Sequence, residues 1–281
     1  MKLLRYGPVG AEKPAMLDAN GDIRCLGGVV RDIDGFSLSA ASLAMLAGID
    51  PTTLPKVEGS PRLGSCVARP VNYICIGLNY ADHAAETGAK PPTEPIVFIK
   101  SLGAFCGPND DVKRPRGSKK LDWEVELGIV IGKTARYVSE ADSMDYVAGY
   151  CVCNDVSERE FQAERGGTWD KGKGADTFGP TGPWMVTKDE VADPQNLKLW
   201  TEVNGKMMQN GNTKTMIFGV KTLVSYVSHF ITLHPGDVIA TGTPPGVALG
   251  MKPHPVFLEP GDVVRLGVEG LGIQTQRIVQ A

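Results

Sequence analysis

Leu121-Asp122-Trp123-Glu124-Val125-Glu126-Leu127-Gly128-Ile129 carries apolar residues at its odd positions and Asp122, Glu124 and Glu126 at even ones. That alternation belongs to a β-strand, whose successive side chains point to opposite faces. Glu124 and Glu126 therefore share a face, side by side. Two readings follow. The strand is half exposed with a solvated acidic face, or the pair is half of a hard-cation site, because adjacent like charges repel unless something positive compensates them. Apolar, strand-like runs recur on either side of this stretch, at 73–76, 96–99, 150–153, 184–186, 197–203, 238–241 and 263–268. Helical patterns are fewer, the best being 139–147, opened by a Ser139/Asp142 capping pair, and 218–230. Asn204-Gly205 signals a hairpin.

Composition agrees with a strand-rich chain. The 281 residues include 34 glycines and 20 prolines, roughly a fifth of the total against a usual ~12%, which implies many tight turns. A net charge of −3 offers no basic surface for phosphate contacts, so nucleic-acid binding is excluded as an expectation. No apolar run approaches the ~20 residues that span a bilayer, and Met1-Lys2-Leu3-Leu4-Arg5 lacks the apolar core of a signal peptide. The expectation is a cytoplasmic protein without a membrane partner. Its six cysteines lie mostly in apolar runs and read as reduced thiols acting as small hydrophobes.

The first 65 residues read as a small β-rich module with strands at 2–6, 15–18 and 22–26 and a helix after Ser39. The polar stretch Val57-Glu58-Gly59-Ser60-Pro61 precedes the apolar run at 73–76. The expected domains are thus 1–65 and 66–281.

Further candidates for chemistry lie downstream and upstream of the acidic strand. Asp155 ends the apolar run Cys151-Val152-Cys153-Asn154 and is either a third carboxylate of the same site or the cap of the helix-like stretch that follows. Three acidic side chains and few histidines suit Mg²⁺ or Mn²⁺ better than zinc. His83 and Glu86 would share a helix face if 79–86 is helical, as an inert surface pair or as an imidazole oriented by a carboxylate. Gly88 and Pro91-Pro92-Thr93-Glu94-Pro95 make 79–95 a candidate lid. Lys171 and Lys173 lie among glycines, without a phosphate-loop pattern, as solvated charges or as a means of polarising a carbonyl. Thr241-Gly242-Thr243-Pro244-Pro245-Gly246 could cradle a carboxylate.

From Tyr73 onward the chain resembles the fumarylacetoacetate hydrolase family, in its shorter acylpyruvase-like branch. The motifs are Gly-Leu-Asn-Tyr-Ala-Asp-His at 77–83, Asp-Trp-Glu-Val-Glu-Leu at 122–127, Asn-Asp-Val-Ser-Glu-Arg at 154–159, Lys-Gly-Lys-Gly-Ala-Asp-Thr-Phe at 171–178 and Thr-Gly-Thr-Pro-Pro-Gly-Val at 241–247. The resemblance implies an α+β, β-rich fold, with a mixed β-sandwich roll behind the small N-terminal domain, and a homodimer. It assigns metal ligation to Glu124, Glu126 and Asp155, the catalytic pair to His83 and Glu86, and a substrate-polarising role to Lys173. Arg159, Gln162, Thr243 and Tyr80 become substrate contacts. The implied reaction is Mg²⁺-dependent hydrolysis of a carbon–carbon bond in a 2,4-dioxo acid to pyruvate and a carboxylic acid, with Mn²⁺ as substitute. Similarity to members of sugar-acid catabolism implies a 2,4-dioxo-3-deoxy sugar acid derived from rhamnonate or fuconate. Where related acylpyruvases often have Gly-Arg-Asn-Tyr, this chain has Leu78. Oxaloacetate decarboxylation and ureidoglycolate lysis are the alternative activities, and a non-catalytic metal or small-acid binding protein is the alternative of another class.

Overall fold

The computed structural model describes residues 1–88 and 90–281. Its largest sheet takes the acidic strand, Val125–Ile131, as a central member. Val147–Asn154 pairs with it antiparallel on one side and Val238–Ala240 on the other. Beyond Val147–Asn154 lie Gly179–Thr187, Lys2–Tyr6, Lys13–Leu17 and Ile23–Cys25. Beyond Val238–Ala240 come Tyr73–Gly77, parallel to it, and then Ile96–Ile99 at the edge. The N-terminal strands thus extend the sheet that holds the acidic strand, through Leu3 opposite Met185.

A second sheet runs Lys206–Asn212, Lys198–Val203, Val263–Val268, Gly272–Gln280 and Val112–Arg114. Asn204-Gly205 forms the turn of its first hairpin, with both residues at positive φ. Between the two sheets lies a core that includes Leu127, Ile129, Leu199, Val264, Leu266 and Ile278, closed by the helix Val220–Phe230. A separate cluster covers the other face of the main sheet and joins Leu3, Met16, Leu26 and Leu38 to Val130, Cys151 and Val238. The observed fold is therefore the mixed, β-rich sandwich expected.

Several local expectations are corrected. The acidic face is not solvated, since every residue from Val125 to Ile131 is buried. Val125, Leu127 and Ile129 enter the inter-sheet core while Val130 enters the opposite cluster, so both faces are covered. The strand is also interrupted at Trp123 and Glu124, leaving Leu121–Asp122 to pair with Ser157–Glu158. The stretch 139–147 is not an α-helix but a 3-10 turn at Ser143–Tyr146. Ser139 and Asp142 do make the capping contacts, at 2.7 and 3.2 Å. The chain then leaves helical geometry because Val147 is already paired with Ile131.

Candidate active site

The break in the acidic strand gives Asp122, Glu124 and Glu126 different tasks. Asp122 is fully buried and accepts backbone hydrogen bonds from Trp123, Ala248 and Leu249 at 2.9, 2.8 and 3.1 Å. It also holds Arg159 Nε at 2.8 Å. Arg159 then reaches Glu124 with its Nη2 at 2.7 Å and Gln162 Oε1 with its Nη1 at 3.2 Å. Asp122 is thus the anchor of Arg159, whereas Glu124 and Glu126 join Asp155 in a buried trio with one oxygen of each residue within 4.8 Å of the others. The alternative role of Asp155 as a helix cap falls to Glu158, whose side chain accepts from Phe161 N at 2.7 Å at the start of Arg159–Ala163.

Lys173, at the end of the short helix Asp170–Lys173, lies 2.7 Å from both Glu124 and Asp155. Burial alone would lower its ammonium pKa, but Asp155 and Glu124 outweigh burial and hold it above the ordinary lysine value. Burial likewise works against an ionised Glu124, yet Lys173 and Arg159 prevail and bring that carboxyl down to about 2. Glu126 has no cation partner of this kind among the described residues. Burial, with Asp155 and Glu124 adding like-charge repulsion, pushes it well above the usual carboxylate range, against a 2.9 Å hydrogen bond from Gly242 N. Crowded carboxylates with oxygen donors only fit a hard divalent cation, and the burial and repulsion that raise Glu126 mark where such an ion would supply charge.

Lys100 was not anticipated. It follows the apolar Ile96–Ile99 strand, is 0% exposed, ion-pairs with Asp155 and donates to Val156 O at 2.9 Å. A lysine after an edge strand normally reads as solvated, so only the position of Asp155 gives it meaning. Gln209 was also missed. It ties Thr243 to the second sheet, donating to Thr243 Oγ1 at 2.8 Å and accepting from Thr201 at 2.8 Å. Thr243 in turn donates to Val125 O at 2.9 Å.

The helix Ala81–Thr87 puts His83 and Glu86 on one face, with Nδ1 and Oε2 3.0 Å apart. Gly246 N holds both oxygens of Glu86 at 3.1 and 3.2 Å. The histidine is buried and paired, which replaces the surface-pair reading. Asn79 fixes the start of this helix by bonding Thr241 O and Phe218 on both its amide atoms. The expected lid at 79–95 includes residue 89, which lies outside the described residues.

One cavity of about 230 Å³ brings together His83, Glu124, Glu126, Asp155, Arg159, Gln162, Lys173 and Thr243. Glu86 lies behind His83. Tyr80 is not brought to the cavity: it is fully buried, and its hydroxyl has no hydrogen-bond partner among the described residues.

Residues 72–279 match the model of the fumarylacetoacetate (FAA) hydrolase C-terminal domain. A protein of Burkholderia ambifaria, named only as a hydrolase, is 64% identical over 276 residues covering 98% of each chain. The fumarylacetoacetate hydrolase of Exiguobacterium antarcticum superimposes with a TM-score of 0.86 at 34% identity over the full length of both chains. A maleylpyruvate hydrolase from Sphingobium sp. SYK-6, solved with manganese(II) and pyruvate, gives 0.80 at 27% identity, again over both full lengths. With the five motifs gathered around one buried cavity, the chain belongs to the fumarylacetoacetate hydrolase family.

Proposed function

We propose that the protein is a divalent-metal-dependent hydrolase that splits a 2,4-dioxo acid and water into pyruvate and a carboxylic acid. The observation that carries this reading is the meeting of the carboxylate trio, Lys173 and the His83–Glu86 pair at one small cavity. A binding protein would need no imidazole backed by a carboxylate. Glu124, Glu126 and Asp155 would hold Mg²⁺ or Mn²⁺, which when bound supplies Lewis-acid polarisation at the 2-oxo carboxylate end of the substrate.

The chain's own groups divide the remaining work. Glu86, itself held by Gly246 N, keeps Nδ1 of His83 as the protonated nitrogen, which makes the other ring nitrogen the one that would accept a proton from water. Hydroxide adds to the 4-carbonyl, and the bond between carbons 3 and 4 breaks. Its electron pair passes to carbon 3 as the enolate of pyruvate, and the proton taken by His83 returns there. Lys173 stays cationic throughout, stabilising negative charge where it develops rather than acting as a base. Gln162 and Thr243, which line the cavity, would orient the substrate carboxylate and carbonyl oxygens, Thr243 by turning its hydroxyl hydrogen away from Val125 O. The test is an assay of 2,4-dioxo acids, oxaloacetate and ureidoglycolate with Mg²⁺ or Mn²⁺, following pyruvate, carbon dioxide and glyoxylate. Equimolar pyruvate and carboxylic acid from a dioxo acid support the reading, while release of carbon dioxide or glyoxylate alone overturns it.

A further inference from the structure

We infer that the substrate carries an uncharged, apolar group on the far side of its 4-carbonyl, an inference that rests on the 2,4-dioxo-acid reading of this site. The cavity lining is of two kinds: beside the polar groups, Leu78, Ile96, Phe98, Trp169 and Leu249 supply an apolar wall. Arg159 and Lys173 are the arginine and lysine among the described lining residues, and both are already paired with carboxylates. A second carboxylate on the substrate would meet no unspent arginine or lysine among them. Hydroxyl groups facing this wall would lose water without gaining a partner, which is unfavourable.

The wall is built in place. The Trp169 ring lies so close over the end of the Tyr73–Gly77 strand that a side chain at Gly77 would sit 2.5 Å from its Cζ3. Phe98 meets that ring edge to face at 5.1 Å, and the Lys173 ammonium lies 5.3 Å from the Phe98 ring centre. The aromatic pair therefore closes one side of the polar cluster and fixes an apolar surface beside it. At the mouth, Ile96 and Leu249 remain 38% and 48% exposed, apolar area that an apolar tail would cover favourably. The 230 Å³ volume is below the ~300–1,000 Å³ of pockets for drug-sized ligands, so the tail is a few carbons or one ring. A polyhydroxylated sugar-acid tail does not match this wall.

The experiment compares three 2,4-dioxo acids of equal length that end in an alkyl group, a carboxylate or a hydroxylated carbon. With Mg²⁺, kcat/KM for the alkyl substrate should exceed the others by about tenfold or more, as expected for unpaired polar groups in an apolar site. Equal values, or preference for either polar tail, overturn the inference. In parallel, alkyl-, carboxylate- and hydroxyl-ended 2-oxo acids are titrated against the protein with Mn²⁺ by calorimetry, and the alkyl compound should bind tightest. That binding order separates the two claims. If no dioxo acid is cleaved but the alkyl compound binds tightest, the hydrolase reading fails and the apolar subsite stands. If a dioxo acid is cleaved but a polar tail binds tightest, the subsite inference fails alone. Leu78→Arg, which brings a cation to the wall, should shift the kcat/KM ratio of carboxylate to alkyl substrate upward by about tenfold. An unchanged ratio counts against contact of the tail with this wall.

Discussion

Glu126 differs from its neighbours in having no lysine or arginine partner among the described residues, and this makes it the most informative residue to perturb. Its carboxyl is pushed up by burial and by Asp155 and Glu124. A bound cation favours its ionised form, so metal binding and the ionisation of Glu126 are linked and metal affinity rises with pH across that titration. Calorimetry of Mg²⁺ binding in buffers of different ionisation enthalpy should show proton release, and Glu126→Gln should abolish both that release and activity. Stability follows the same sign. A raised carboxyl contributes stability to the metal-free fold below its unfolded value of 4.5 and loses it as pH rises through the raised folded value, so the gain in melting temperature from added Mg²⁺ should grow as pH rises. Glu124 acts oppositely: held at about 2, its contribution is present above 4.5 and lost as pH falls from 4.5 toward 2. His83 separates two reactions. His83→Ala should lower dioxo-acid cleavage by about 10²–10⁴-fold, the usual worth of a positioned acid–base group, while retaining oxaloacetate decarboxylation, which needs no hydroxide. Equal loss of both, measured by pyruvate release, would show that His83 does not supply the water-derived nucleophile.

At the scale of elements, the central strand shows what its residues disclose and what they conceal. Alternation in 121–129 gives the strand from Val125 on, because the two-residue period is local geometry, but not its break at Trp123 and Glu124, across which Glu124 and Glu126 still meet at one cavity. It cannot say that sheet and cluster cover both faces, since those partners come from 198–280 and from the N-terminal strands. Gly128 belongs to the carboxylate face and fits there because a side chain would meet Cys153 Sγ at 2.6 Å and Cys151 Sγ at 2.7 Å. Gly128→Ala should cost about 1–3 kcal/mol in urea unfolding, a typical overpacking penalty. A neutral result would mean that the sheet relaxes without cost. The C-terminal strand Gly272–Gln280 escaped notice because it turns Gln274 and Gln276 inward. Gln274 satisfies Val152 O, Pro180 O and Gly182 O, and Gln276 accepts from Asn154, so a polar alternation is buried by long-range partners. Lys100 was hidden for the same reason: its partner Asp155 is 55 residues away.

Across the whole molecule, the main sheet runs unbroken from Ile23–Cys25 to Ile96–Ile99, and the polar groups of the cavity gather near its latter edge. No helix among the described residues is long and apolar enough to cross a membrane. The edge strand leaves Ile99 43% exposed beside Leu102 at 48%, apolar area that a second copy could cover. We propose a homodimer, and light scattering should return twice the chain mass; a monomer at micromolar concentration would contradict it.

In the proposed reaction a divalent cation held by Glu124, Glu126 and Asp155 and a proton acceptor at His83 together hydrolyse a dioxo acid. The decisive measurement incubates the protein with an alkyl-ended 2,4-dioxo acid in heavy-oxygen water, with Mg²⁺, after EDTA, and after restoring Mg²⁺. Equimolar pyruvate and carboxylic acid are expected, with solvent oxygen in the new carboxylate, lost with EDTA and regained with Mg²⁺. Undiminished cleavage after EDTA, or a product acid without solvent oxygen, would contradict it.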